Sequence, residues 1–127
     1  NPDFADAFMD LGAALSAQGK YAEAIEMSEK ALRLRPDVAE TQALLGAALL
    51  HLDRADESIF YNRKALELKP DLVSARLNLG VALLAKGNYD EAIAHVEYVL
   101  RLSPQDEAAQ KLLIAARQKR DETATHP

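Results

Sequence analysis

A step of 34 residues constrains this chain more than any other feature. Four of its five prolines keep that step, at Pro2, Pro36, Pro70 and Pro104. Gly12, Gly46 and Gly80 keep it too, as do Leu11, Leu45 and Leu79, and Leu15, Leu49 and Leu83. Ile25, Ile59 and Ile93 follow the same register, and so do Leu34, Leu68 and Leu102. A fixed period of this size marks stacked units that bury their apolar faces only against neighbours, not one globular core. Such arrays present extended surfaces, so the pattern points to a binding scaffold and away from an enzyme.

Each unit reads as two helices. In the first, apolar residues recur at steps of three and four, as in Phe8, Leu11 and Leu15. A break follows at Gln18-Gly19-Lys20 and again at Lys86-Gly87-Asn88, where glycine can take the left-handed conformation that ends a helix. The second helix carries Tyr21, Ala24, Ile25, Ala31, Leu32 and Leu34 and stops before proline. The expected helices lie near 5–17, 21–34, 39–52, 55–68, 73–86, 89–102 and 106–120. Asp3, Asp37 and Asp71 follow the repeat prolines and are expected to cap the next helix, with Asp37 and Glu40 at capping-box spacing. The mid-helix glycines each cost about 1 kcal/mol against alanine. Their recurrence implies close helix contact, with Ala24 and Ala92 as expected facing partners.

Leu11-Gly12, Leu15, Gly19, Tyr21, Ala24, Ala31 and Pro36 resemble the tetratricopeptide repeat pattern, and Leu79-Gly80, Leu83, Gly87, Tyr89, Ala92 and Pro104 match it again. The middle unit departs from it, with Asp53 for the turn glycine, Ala55 for the tyrosine and Ser58 for the alanine, which implies looser packing there. The resemblance implies an all-α, right-handed superhelical solenoid of three helix-turn-helix repeats plus a C-terminal capping helix. Residues 1–4 then read as the tail of a preceding repeat, 5–38, 39–72 and 73–106 as the repeats, 107–120 as the cap and 121–127 as a polar tail. In the cap, Ile114 replaces the glycine and Arg117 the buried leucine, so no further helix is expected to dock there. At the other end, Phe4 and Phe8 are expected to be exposed.

Composition narrows the function classes. A net charge of -5 argues against nucleic acid or an anionic membrane as the main partner. No apolar run approaches the length of a membrane span. With no cysteine, thiolate metal sites and thiol nucleophiles are impossible. His51, His95 and His126 share no metal-ligand spacing, and no HExxH, GxSxG or EF-hand pattern occurs. His95 is expected on the solvated surface. The acidic pairs Asp56-Glu57 and Asp90-Glu91 open second helices, where the positive helix end favours them. No catalytic residue, metal or cofactor is expected, and a cytoplasmic location is the default.

The expected function is protein–protein interaction. By resemblance, the first helices line a concave groove that takes a peptide or an amphipathic helix. Met9, Asp10 and Ala13, with Asp6, Ser16 and Ala17, are its expected lining in the first unit. Leu44, Ala47, Leu50 and His51, with Glu40 and Ala43, line it in the second. Leu77, Asn78, Val81 and Leu84, with Ser74 and Ala85, line it in the third, and Lys111, Ala115 and Gln118 extend it on the cap. Leu44, Leu77, Val81 and Leu84 are the expected central anchors, and Asn78 is expected to bond partner backbone. The lining reads as a contiguous apolar patch, which usually marks an interaction site. Superhelical curvature would bury part of it. Family members that clamp chaperone carboxylates use basic residues and asparagine where this chain has Met9, Ala13, Leu44 and Ser74, so a carboxylate clamp is not expected. The asparagine ladder of arrays attached to sugar transferases would fall at Asp10, Leu44 and Asn78, where only Asn78 fits. Two alternatives stand beside the groove: self-association through the groove or the uncapped N-terminal edge, giving a homo-oligomer, and service as the substrate-recruiting arm of a larger enzyme such as a glycosyltransferase. Phe60 and Tyr98, where second helices carry other residue types in sister units, are expected to be isolated exposed aromatics.

Overall fold

The structure is a computed structural model that describes residues 2–125. These form seven α-helices: α1 (Pro2–Ala17), α2 (Tyr21–Leu34), α3 (Ala39–His51), α4 (Ala55–Leu68), α5 (Val73–Ala85), α6 (Tyr89–Leu102) and α7 (Glu107–Thr125). Among the described residues there is no strand, and no helix is long and apolar enough to cross a membrane. The interior boundaries fall within a residue or so of those the sequence predicts. The ends differ. α1 starts at Pro2, where the sister segments 36–38 and 70–72 contain turns. Proline lacks only an N–H that a first helical turn leaves unpaired anyway. α7 runs on through the polar stretch after residue 120 to Thr125.

Each hairpin turn closes in the same way. The N–H groups of Lys20, Arg54 and Asn88 bond the carbonyls of Leu15, Leu49 and Leu83 at 2.9, 2.9 and 2.8 Å. The residue before each has positive φ: 79° at Gly19, 62° at Asp53 and 81° at Gly87. This is the Schellman termination. The middle repeat keeps it although Asp53 must hold a left-handed backbone that glycine adopts freely.

The repeat-to-repeat turns use a device the sequence reading missed. Gln42 Nε2, Arg76 Nε and Gln110 Nε2, themselves 34 residues apart, donate to the carbonyls of Pro36, Pro70 and Pro104 at 3.2, 3.1 and 2.8 Å. Neither Asp37 nor Asp71 stands at the N-cap position expected of it. The N-cap positions are Val38 and Leu72, one residue beyond Asp37 and Asp71, and neither has a side-chain cap bond. At the third such position stands Asp106, which does cap, accepting from the Ala109 N–H at 2.9 Å. Glu40 turns to Lys69 Nζ at 2.9 Å and forms no capping box. The Asp3 side chain lies outside the described residues.

The helices form two layers. α1, α3, α5 and α7 touch one another in sequence, whereas the backbones of α2, α4 and α6 approach flanking first helices and not one another, with long side chains such as Arg63 and Glu91 bridging α4 to α6. Helices that crowd on one side and spread on the other curve the array, so the first-helix layer is the concave one. Leu45, Leu49, Leu79 and Leu83 are fully buried between the layers. Leu11, in register with Leu45 and Leu79, is 47 % exposed because no described helix covers that side of α1. At the other end Ile114 is 67 % exposed, and Arg117 pairs with Glu97 at 3.2 Å.

The mid-helix glycines do mark close approach, but the nearest side chains lie one turn beyond Ala24 and Ala92. A Cβ on Gly12 would sit 3.0 Å from Ser28 Oγ, one on Gly46 2.4 Å from Asn62 Nδ2, and one on Gly80 3.1 Å from Val96 Cγ2. Ala24 and Ala92 contribute backbone carbonyls at 3.4 and 3.7 Å.

Candidate functional site: the groove of the inner layer

Between α3 and α5 the concave layer holds a hollow of about 280 Å³ lined by Glu40, Ala43, Leu44, Ala47, Ser74 and Asn78. Small side chains at 43, 47 and 74 make the depression. All six belong to the expected lining of the second and third units. Its floor is tied down from behind. Asn78 Nδ2 donates to the Ala43 carbonyl and to Asn62 Oδ1, both at 3.4 Å. Asn62, fully buried on α4, donates in turn to the Ser58 carbonyl at 2.9 Å and hydroxyl at 3.1 Å. The Asn78 amide group therefore joins α5 to α3 and α4, which corrects its expected role as a free donor to partner backbone.

The apolar lining is less open than the sequence suggests. Val81 is 40 % exposed, but Met9, Leu44, Leu50, Leu77 and Leu84 are half-buried. Leu44 Cδ2 lies 3.4 Å from the space a Gly12 Cβ would take. Leu77 packs against Val96, Val99 and Ala109, and Leu84 against Leu79, Leu83 and Ala92. Of the four expected anchors, Leu77 and Leu84 thus serve packing within the array, as curvature requires when first helices approach closely. Asp10 and Ala13 are exposed on α1. His51 is not part of the hollow; its ring stacks on Tyr21 with centroids 4.3 Å apart and planes 1° from parallel. Two ion pairs edge this layer: Lys69–Glu40 at 2.9 Å and Arg35–Asp6 at 3.5 Å. The hydrogen bond from Lys69 holds the Glu40 carboxyl below its ordinary pKa.

The outer layer carries a second polar constellation, which sequence reasoning missed. Arg76 lies 3.8 Å over the Tyr98 ring, whose hydroxyl donates to Asp71. Arg76 Nη1 donates to His95 Nδ1 at 3.1 Å, and His95 Nε2 faces Glu91 at 3.4 Å. Glu91 also takes Arg63 of α4 at 2.7 Å. Arginine has no acceptor, so His95 Nδ1 must be bare and the ring neutral, with its proton on Nε2 toward Glu91. Burial pushes the His95 pKa down, outweighing Glu91, which raises it. His95 is thus not a solvated side chain: 15 % of it is exposed. Nor is Tyr98 isolated. Phe60 is 53 % exposed, edge-on to Tyr61, with Lys64 4.8 Å above its ring. The signal available in the sequence was Tyr98 standing where sister repeats have Lys30 and Lys64.

The acidic pairs at second-helix starts are cross-braced as well. Glu57 takes Arg54 at 2.6 Å, Asp56 takes Lys86 at 3.1 Å, and Asp90 takes Arg120 at 3.4 Å. Exposed pairs of this kind contribute little stability each. Among the described residues no group of three His, Asp or Glu is placed to hold a metal ion. His126 lies outside the described residues.

Comparison with known proteins identifies two family-model matches, both described as tetratricopeptide repeat, over residues 3–71 and 61–107. Among curated protein sequences none matches significantly. The first tetratricopeptide repeat domain of human RPAP3 has a similar structure, with a TM-score of 0.94, 24 % identity and full coverage of both chains. The second such domain of human RPAP3, in complex with the HSP70 peptide SGPTIEEVD, has a TM-score of 0.86 at 25 % identity over 92 % of this chain and 98 % of that one. The first such domain of Spaghetti (RPAP3), bound to the HSP90 peptide SRMEEVD, gives 0.89 at 24 % identity over 93 % and 94 %.

Proposed function

Because the chain belongs to the tetratricopeptide repeat family, we propose that it is a protein–protein interaction module whose concave face holds a segment of a partner protein. The observation that carries this reading is the hollow between α3 and α5, with a small-residue floor fixed by Asn78 and open apolar surface at Val81. A floor held by buried hydrogen bonds and packed helices needs little rearrangement to receive a ligand, which lowers the cost of binding. The peptides seated on the similar domains support the same kind of occupant, since these domains share the layer arrangement. In this groove Leu44 and Val81 supply apolar contact, and Ala43, Ala47 and Ser74 let partner backbone come close. The test is affinity capture by wild-type protein beside an Ala47→Glu, Val81→Glu double variant shown to be folded by circular dichroism. A partner lost only with the variant supports the groove, and partners retained equally sink it. Ala47 is preferred to Leu44 because Leu44 also packs beneath Gly12.

A second reading, self-association, is favoured by one observation. Phe4, Ala7, Leu11 and Ala14 form an exposed apolar face on α1. The same face is buried in α5 at Ala75, Leu79 and Ala82. Sedimentation over a concentration series, with Leu11→Glu as control, tests it; a monomer at all concentrations removes this reading.

A further inference from the structure

One repeat before the lining of the α3–α5 hollow, at the same 34-residue register, stand Asp6, Met9, Asp10, Ala13, Glu40 and Leu44 on α1 and α3. The two stretches differ in charge. Around the α3–α5 hollow the single charged side chain is Glu40, at its edge and paired with Lys69. The α1–α3 stretch carries three carboxylates, Asp6, Asp10 and Glu40. α1 and α3 contain no lysine or arginine at all. α5 has one, Arg76, and it is engaged on the outer layer with Tyr98 and His95. Asp6 and Glu40 have partners at the edge, whereas Asp10 stands exposed with no ion pair among the described residues.

Resting on the groove reading above, we infer that this face accepts a protein segment with an apolar stretch over α3–α5 and a cationic side chain over Asp10, and that it rejects acidic tails. A carboxylate entering the α1–α3 stretch would lose water beside Asp10, with Arg35 and Lys69 already held by Asp6 and Glu40 and no lysine or arginine on α1 or α3 to receive it. A lysine or arginine there would gain attraction from the same field. Like-charge juxtaposition is a strong source of discrimination between partners. The fold is therefore shared with domains that hold SRMEEVD and SGPTIEEVD, while the occupant class is of opposite charge.

The experiment uses two labelled probes on the full chain: the amidated peptide Lys-Arg-Ala-Leu-Leu-Ala-Leu-Ala, and SRMEEVD. Binding is read by anisotropy and by amide shifts in isotope-labelled protein. The cationic probe is expected to bind about 10-fold more tightly than the acidic one, to move the Asn78 and Asp10 signals, and to weaken as salt rises. Asp10→Lys is expected to weaken it by about 5-fold and to strengthen SRMEEVD. Equal or tighter binding of SRMEEVD, or an unchanged cationic Kd in Asp10→Lys, overturns the charge assignment and leaves the groove standing. Shifts confined to Leu11 and its neighbours would place the ligand on the α1 edge and overturn it as well. Binding of neither probe overturns the groove reading, and this inference with it.

Discussion

The second and third repeats share backbone, register and turn geometry, yet they fill the space between their helices with different chemistry. In the third, Gly80 faces Val96, Ala92 is fully buried with Leu79 and Leu83, and Val96 and Val99 are fully buried with Ala109. In the second, Gly46 faces Asn62, and the positions of Ala92 and Val96 are held by Ser58 and Asn62, both fully buried. Buried polar groups are tolerated when their hydrogen bonds are made, and here they are made to Ser58 and Asn78. The middle repeat is therefore polar inside and not looser. Its network reaches the floor of the groove through Asn78, so a core substitution in one repeat supports a surface feature shared with the next.

Alanine at the two glycines should break this comparison most sharply. Gly46→Ala drives a Cβ into the Asn62 amide at 2.4 Å and disrupts its buried bonds. A loss of about 3 kcal/mol is expected in urea unfolding. Gly80→Ala meets the movable methyls of Val96 and Leu112 at 3.1 and 3.2 Å, and the gain in helix propensity offsets the crowding, so stability stays within about 1 kcal/mol of wild type. Adding Asn62→Ala to Gly46→Ala should restore most of the loss. Equal losses at the two glycines would mean that Asn62 does not set the difference.

Ser58→Ala with Asn62→Val gives the second repeat the side chains of the third. Because Ser58 and Asn62 lose their mutual bond together and the half-buried Asn78 amide keeps the Ala43 carbonyl, the exchange should raise stability by about 1 kcal/mol in the same assay. It should also mobilise the Asn78 side chain, seen as a shift of its amide protons. A net loss would show that the network stabilises beyond its pairwise bonds. A smaller effect is expected at the turns. Asp53→Gly relieves the left-handed residue and should add about 0.5 kcal/mol, while Gly87→Asp should remove a similar amount from the third repeat.

The smallest effect is electrostatic and sharpens the contrast from the outside, since the polar groups of the third repeat lie on its outer face. Burial lowers the His95 pKa below its ordinary value of about 6.5. The unfolded chain then takes up the proton first. Stability that is present above pH 6.5 declines as pH falls through that value toward the lower folded pKa. Glu91, whose pKa the Arg63 hydrogen bond lowers, loses its contribution as pH falls from its ordinary value of about 4.5 toward the lower folded one. Thermal unfolding between pH 7 and 5 should show a shallow downward slope that His95→Gln removes. The same slope in the variant would assign it to other groups.

Residues that act through the local backbone were legible in the sequence. Gly19 and Gly87 take positive φ as the turn demands, and the second helices stop where the prolines begin. The groove was expected on the first helices by resemblance, and Ala47 and Leu44 line the hollow between α3 and α5. Leu77 and Leu84, expected as central anchors, are half-buried against the clusters that hold Val96 and Ala109, and Leu79 and Ala92, which is set by how closely successive helices approach. His95 looked solvated because Arg76 and Arg63, which flank it with Glu91, come from other helices.

By itself the sequence determined the seven helices, their turns and their stacking order. These depend on φ preferences, missing N–H groups and apolar spacing within a few residues. Tertiary structure alone decided which members of a repeated set are buried. Leu11 and Leu79 are the same residue at the same register, yet one is 47 % exposed and the other fully buried, because burial belongs to the neighbour that covers a side chain. It also decided that Asn78 would tie down the floor of the α3–α5 hollow, since that outcome depends on side chains brought together from different repeats.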